Sequence, residues 1–379
     1  MREKDFILKH GLEKGNPLLT TITKRIREGR PRIPSDLKYT IFEAGEFVQI
    51  WLKTRGCAYS KVGSCTCCDY WEGDDVDDVV SEFAEALSKI KPSVKSLLIE
   101  TSGSVLDTNE ISNQELIMIL EMLKERQFKK VVIETHLNTI TPEKLTSIRN
   151  KLKDTEICIE AGVESLSEDI LRYSLNKSSV LSTEIKEIIE LIHASGCKFI
   201  ANIMLGVPFV SVSQQIEDAV RSINKLFETG ADYVMLFPVN IKEYTLVNWM
   251  YQNGLYERVN GQMILRVLER VKKKYINRID VVWYGNRKQE NPAYKKAILG
   301  PRYCETCENK LMDFFFNFNI LEDTEKRIKL LEGAANTECN CKQELRRTLD
   351  MTCNDGLDIL DYMDSIYTRI KMIEMEGQK

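Results

Sequence analysis

The chain has 379 residues, of which 43% are hydrophobic and 29% charged, with a formal net charge of -4. That length buries a full core, as one large α/β domain with an appendage or as two domains, and the composition excludes a disordered tail. The mildly acidic balance argues against tight, indiscriminate binding of polyanions but leaves room for a local basic stripe that meets RNA.

Met1–Pro17 is charged and lacks the apolar centre of a secretory signal, and no run approaches the roughly 20 apolar residues that span a bilayer. Eleven cysteines in such a sequence point to a reducing compartment and a metal role for some of them. A cytoplasmic protein that meets no membrane is the expectation.

Residues 1–44 read as a helical lead-in ending at Pro31 and Pro34. Lys24, Arg25, Arg27, Arg30 and Arg32 form a basic stripe there. A solvated helix face is the favoured reading of that stripe, with RNA contact as the alternative. From Glu46 onward short apolar runs alternate with amphipathic stretches. Strands are predicted at Val48–Leu52, Ser96–Ile99, Val131–Ile133, Glu156–Ala161, Phe199–Leu205 and Tyr233–Phe237. Helices are predicted over Val76–Ile90, Gln114–Arg126, from near Pro142, and over Glu184–Ala194 and Gln214–Thr229. This rhythm means parallel β-α-β units, and six repeats suit a partial (β/α)6 barrel of TIM-like kind; an open doubly wound sheet has a similar pattern. Asp280–Tyr284 is a last apolar run. Helices then follow over Asn309–Phe318, Asp323–Leu331, Lys342–Leu349 and Leu357–Glu374. The predicted domains are a helical extension (1–44), a barrel core (45–290) and a mostly helical Cys-rich subdomain (291–379).

In either α/β fold, active residues gather on loops after the strands. The first such loop holds Cys57, Cys65, Cys67 and Cys68, four thiols in twelve residues. Cys57, Cys65 and Cys68 form a C-x7-C-x2-C set, whereas Cys67 as ligand would force adjacent donors. Three thiolates leave one iron of a [4Fe–4S] cluster open to chelate the amino and carboxylate groups of S-adenosylmethionine (SAM). That is the chemistry of radical SAM enzymes; a zinc knuckle or inert buried thiols are the plainer readings. Cys67 is expected to pack near the adenine as a small apolar side group. Ser102, Gly103 and Ser104 are candidates to grip the methionine end, Glu160 a ribose hydroxyl or the amino group, and Asn202 and Gly206 the adenine. Tyr70 is a further cofactor candidate, and His136, Glu164 and Lys177 are candidate mouth residues. Among three histidines, His136 reads more readily as satisfied than as a proton donor. Cys304, Cys307, Cys339 and Cys341 suit a closed zinc site, with an auxiliary iron–sulfur cluster as the alternative. Cys158, Cys197 and Cys353 read as packing residues, and Phe314, Phe315, Phe316 and Phe318 as core.

Several motifs in order carry a resemblance. Thr54-Arg55-Gly56-Cys57 with Cys65-Thr66 and Cys68, Thr101-Ser102-Gly103-Ser104 with Asp107, and Asn176-Lys177 are three of them. Pro238-Val239-Asn240 with Thr245, and Gly300-Pro301 ahead of the last cysteines, are the others. From about residue 47 to 345 the sequence resembles the radical-SAM subunit of archaeosine synthase and its bacterial relatives, akin to the radical-SAM domain of the Elongator catalytic subunit. The resemblance implies a [4Fe–4S] cluster, SAM, an electron donor such as flavodoxin or ferredoxin, and a lyase reaction on tRNA. In that reaction a lysine attached to a deazaguanine is split at the bond between its nitrogen and side-group carbon, leaving an amidine. Two segments depart from the family pattern: Leu205-Gly206-Val207-Pro208 replaces a Lys-Pro-Pro-like run, and Thr135-His136-Leu137 a Ser-Arg-Pro-like run. A radical SAM enzyme acting on a free metabolite or peptide, and a zinc-binding adaptor, are the alternatives.

Overall fold

The computed structural model describes residues 1–13, 15–28, 37–68, 78–177, 182–282, 297–355 and 358–376. Helices α1 (Glu3–His10) and α2 (Pro17–Glu28) precede a hairpin of β1 (Tyr39–Ala44) and β2 (Phe47–Leu52). Six strand-plus-helix steps follow from β2. A short α3 (Ala58–Lys61) and α4 (Val79–Ser88) lead to β3 (Ser96–Thr101), and α5 (Asn113–Arg126) leads to β4 (Lys130–Thr135). Then come α6 (Pro142–Lys151), β5 (Glu156–Glu164), α7 (Ser182–Ala194), β6 (Lys198–Leu205), α8 (Val212–Thr229) and β7 (Tyr233–Pro238). Pairing runs in the order β1-β2-β3-β4-β5-β6-β7-β9, with β9 (Ile279–Val281) at the far edge. In this sheet β1 is antiparallel to β2, and every pair from β2 onward is parallel. The sheet is a curled half-barrel with helices outside it.

Local chemistry explains the helix starts. Ser112 with Glu115 and Ser211 with Gln214 form capping boxes for α5 and α8. Thr141 caps α6 ahead of Pro142, which occupies the first helical position. In the strands, period-two alternation sends Val48, Ile50, Leu97, Ile99, Val131, Ile133, Ile159 and Ile203 outward under the helices, where they are fully or nearly fully buried. The opposite parity faces the lumen. Leu98, Val132, Cys158, Ile200, Tyr233 and Met235 pack there as a separate apolar floor.

Between β7 and β9 lie β8 (Ile241–Lys242), α9 (Leu246–Gln252) and α10 (Gly261–Arg270), and β10 (Ala297–Leu299) pairs with β8. The last elements are α11 (Glu308–Ile320), α12 (Thr324–Ala335), α13 (Asn340–Asp355) and α14 (Ile359–Glu376). Leu311, Phe314, Phe315, Phe318 and Leu345 join the core beneath the outer helices, so the aromatic run is packing except for Phe316, which is only partly buried. Buried Tyr367 of α14 donates to the Tyr173 carbonyl (2.6 Å) and meets Asn16, docking α14 and the N-terminal helices on the barrel. No helix of the described residues is long and apolar enough to cross a membrane.

One expected element changes identity. Residues 39–44, read with the helical lead-in, form β1 of the sheet. Only Phe42 of that strand is fully buried, as befits an edge strand, so its alternation is weak. The predicted boundary at residue 290 falls among residues outside the described set.

Candidate active site

The cysteine loop leaves β2 at the end where a barrel carries its active residues. None of Cys57, Cys65, Cys67 and Cys68 forms a disulfide. All four line one cavity of about 370 Å³ with inward side groups of the strands. Apart from α3 and the turns beside it the loop has little backbone pairing, so its carbonyls also draw on side-chain donors. Arg27 of α2 supplies them. Its buried guanidinium donates to the carbonyls of Ser60, Ser64 (3.1 Å), Cys65 (3.3 Å) and Cys68 (3.4 Å). Glu110 holds the other side, accepting from Thr54 Oγ1 (2.5 Å), Thr101 Oγ1 (3.1 Å) and the Ser104 amide (2.9 Å). Gly103 lets the two loops meet, because a Cβ there would lie 2.8 Å from the Cys57 Cα.

Beside the thiols, Lys177 Nζ lies 2.7 Å from Glu164 Oε1. Burial opposes the ammonium, but Glu164, Cys65 and Cys68 together hold its pKa well above the ordinary value. Glu164 (φ 65°) and Asn176 (φ 53°) both take left-handed backbone to bring the pair together. Burial pushes the Cys57 and Cys65 thiols up, and Lys177 pulls both back. Burial also drives Cys67 up to about 12. His136 Nε2 is 3.7 Å from Cys57 Sγ, and burial followed by Lys177 lowers its pKa to about 4. His136 is therefore a neutral imidazole at pH 7.

Deeper in the lumen stands a row of carboxyls. Glu134 pairs in register with Glu160 across β4 and β5. Glu100 follows Ile99, whose partner across β3 and β4 is Ile133, so Glu100 stands beside Glu134. Burial raises Glu100 to about 7 despite a 2.6 Å hydrogen bond from Gln49. Burial, then Glu100, raises Glu160 to about 8, against a hydrogen bond from Asn202. Glu134 is raised well above the usual range by burial and by its carboxylate neighbours. Asp280, in contrast, is held at 2.9 Å by Arg327 of α12.

Glu160, Asn202, Gly103, His136, Glu164 and Lys177 thus share the cavity with the thiols. Ser102 and Ser104 are buried with their hydroxyls engaged between loops. Ser102 Oγ accepts from the Thr54 amide (3.3 Å), and Ser104 Oγ shares hydrogen bonds with Thr135 (2.6 Å) and Thr139 (3.1 Å). Gly206 (φ 100°) sits outside the lining, packed against Val259, and its carbonyl accepts from Tyr256 (2.7 Å). Tyr70 lies outside the described residues, as do Arg30 and Arg32 of the basic stripe. Of the rest of the stripe, Lys24 and Arg25 are exposed, with Arg25 paired to Glu374 at 2.6 Å, whereas Arg27 is the buried clamp and not a solvated face.

The second cysteine group comes together in part. Cys304, Cys307 and Cys341 place their sulfurs within 4.8 Å of one another, the one group so tight among the described residues. Cys339 is also buried, and its sulfur accepts from the Gln262 amide at 3.5 Å. Cys158 and Cys197 are packed in the core, the former in the lumen floor.

Sequence reasoning missed Arg27, Glu110, Glu100 and Glu134 as site residues. A signal for the last two was present: Ile99-Glu100, Ile133-Glu134 and Ile159-Glu160 each put an acid at the end of an apolar strand, on the lumen parity.

No family model matches the sequence. It is 27% identical to an uncharacterized protein of Methanocaldococcus jannaschii over 318 residues, covering 80% of this protein and 82% of that one. It is 26% identical over 326 residues to archaeosine synthase subunit beta of Methanosarcina acetivorans, covering 82% and 87%. The protein therefore resembles archaeosine synthase subunit beta. Among solved structures, Elp3 of Methanocaldococcus infernus superposes with TM-score 0.44 at 18% identity, covering 63% of this protein and 57% of that one.

Proposed function

We propose that the protein is a radical SAM enzyme of the archaeosine synthase kind, acting on a lysine-bearing deazaguanine nucleoside in tRNA by C–N cleavage. The observation that carries the reading is that Cys57, Cys65 and Cys68, on one loop after β2, open on the same cavity as the lumen carboxyls. The donor set fits a [4Fe–4S] cluster. The three thiols form no disulfide, and they spread wider than the tight group that suits a single ion. When bound, a cluster with SAM supplies an electron that cleaves the sulfonium to a 5′-deoxyadenosyl radical, which abstracts hydrogen from the substrate.

The protein's own residues do the rest. Arg27 and Glu110 fix the loop from either side, and Lys177 favours the thiolate form of Cys65. Neutral His136 stands beside Cys57 without adding a positive charge to the mouth. Glu160 and Asn202 are the lumen groups offered to the SAM ribose and adenine, with Gly103 as the point of close backbone approach. Cys304, Cys307 and Cys341, with Cys339 nearby, hold a structural metal, zinc in preference to a second cluster. A partner subunit is proposed as well, because the related protein is named as a subunit.

The test is which added molecule triggers SAM cleavage in the anaerobically reconstituted protein. tRNA carrying the lysine-modified base is expected to stimulate 5′-deoxyadenosine formation, with tRNA binding that weakens steeply with salt. Stimulation by a free amine metabolite alone, with no effect of that tRNA, moves the substrate to the second reading, which the acidic lumen favours.

A further inference from the structure

We propose that His136 is a positioning residue for the redox chemistry of the cysteine loop: its Nε2–H donates to the Cys57 sulfur and makes the cluster held there easier to reduce. This rests on the radical SAM reading and deepens it by naming a residue outside the loop that tunes the first electron step.

The geometry carries it. His136 Nε2 lies 3.7 Å from Cys57 Sγ. A cysteine that holds iron is a thiolate with no hydrogen to give, so at that contact the ring nitrogen is the donor. The ring is aimed by its backbone. His136 directly follows β4, its amide donates to Ser104 Oγ (3.1 Å), and its carbonyl accepts from the Thr139 amide (3.0 Å) and Thr139 Oγ1 (2.7 Å). Ser104 Oγ also meets Thr135 Oγ1 and Thr139 Oγ1, so the loops after β3 and β4 lock His136 from behind. In front, the ring meets Tyr59 of α3 edge to face, with centroids 5.8 Å apart. The imidazole therefore bridges to the cysteine loop at two points, one of them a ligand sulfur.

An added electron increases the negative charge on the cluster's sulfurs. A hydrogen bond to one of them stabilises the reduced form more than the oxidised form, and raises the potential. The amides of Tyr59 and Ser60 also favour the Cys57 thiolate, but the His136 contact comes from a side chain and can be removed by substitution. Lys177 is paired with Glu164 at 2.7 Å, so that pair adds little net charge beside the sulfurs. The other two histidines stand elsewhere: His10 meets Asp364 between α1 and α14, and His193 meets Asp232. A label confined to histidine thus reports on His136 alone at the loop.

The experiment uses the full chain, labelled with ¹⁵N-histidine, reconstituted anaerobically and reduced without SAM. Pulsed electron paramagnetic resonance is expected to show a ¹⁵N coupling to the reduced cluster, lost in H136L. In a redox titration at equal iron and sulfide content, H136L is expected to lower the ratio of reduced to oxidised cluster at a fixed potential about three-fold or more. H136Q, whose amide can donate, is expected to recover part of that loss. Absence of the coupling in the unsubstituted protein overturns the proposal, as does an H136L cluster that titrates with the parent. A loss that H136Q does not recover assigns the effect to packing and overturns it too. Should H136L retain no cluster, the coupling and the H136Q titration decide. A parent protein that assembles no cluster defeats the reading of the cysteine loop and this inference with it, whereas an intact cluster with neither coupling nor shift defeats this inference alone.

Discussion

Arg27 donates to the backbone carbonyl of Cys65 at 3.3 Å, tying the second helix of the protein to the centre of the cysteine loop. The same guanidinium reaches three other loop carbonyls. R27M leaves those carbonyls without a charged donor. It is expected to destabilise the protein by about 2–4 kcal/mol and to lower iron retained after reconstitution. R27K should recover only part of this, since an ammonium lacks the planar fork. Urea denaturation and iron analysis check both; unchanged iron in R27M removes Arg27 from the loop's support.

Lys177 and Glu164 form a partly buried pair, so losing one partner leaves the other charge without its counter-ion. K177M is expected to cost roughly 1.5–3 kcal/mol. The double variant E164Q/K177M should be less destabilised than the sum of the singles, because neither charge is left alone. A double-mutant cycle by chemical denaturation measures the coupling, and additive effects contradict the pair.

Most of the half-barrel was legible because its signal is local. Strands such as Phe199–Leu205 are long apolar runs between amphipathic helices, and the alternation survives without knowledge of neighbours. The cysteine loop was legible for the same reason: its ligand spacing is contained in twelve residues. Arg27 was not, since its partners lie more than thirty positions away and are backbone carbonyls, which no residue type advertises. The hydroxyls of Ser102 and Ser104 show the converse. A strand-end Ser-Gly-Ser reads as a ligand grip, but contacts between loops decide where each hydroxyl points.

The lumen acids set a pH dependence of the protein free of ligand. Glu100 titrates at about 7 and Glu160 at about 8, both above the ordinary 4.5, and facing them are Gln49, Glu134, Glu164, Asn202, Asp280, Lys130 and Lys177. Between about pH 4.5 and 8 the folded state keeps protons that the unfolded state has released. Stability from these groups therefore falls as pH rises through that window. E160Q keeps the shape and removes the charge. It is expected to be more stable than the parent at pH 8, by on the order of 2 kcal/mol, with a flatter profile. Thermal unfolding from pH 5 to 9 measures it; an unchanged slope contradicts the buried row.

The C-terminal thiols make a separate prediction. A C57S/C65S/C68S protein is expected to keep one zinc per molecule and its C-terminal helices. C307S loses the zinc and unfolds at lower temperature, because Cys307 is buried in the core and one of three converging sulfurs. Metal analysis of both proteins decides it. Iron in place of zinc at this site would instead assign a second cluster.

The central claim is that the loop after β2 holds the chemistry, and 5′-deoxyadenosine formation from SAM tests it most directly. The protein is reconstituted anaerobically with iron and sulfide, reduced and given SAM, beside C57S, C65S, C68S and C67S variants. The account predicts a brown protein that makes 5′-deoxyadenosine. It further predicts loss of both properties in C57S, C65S and C68S, and their retention in C67S. A colourless protein that binds only zinc, or product formation that survives C57S, C65S and C68S alike, contradicts it.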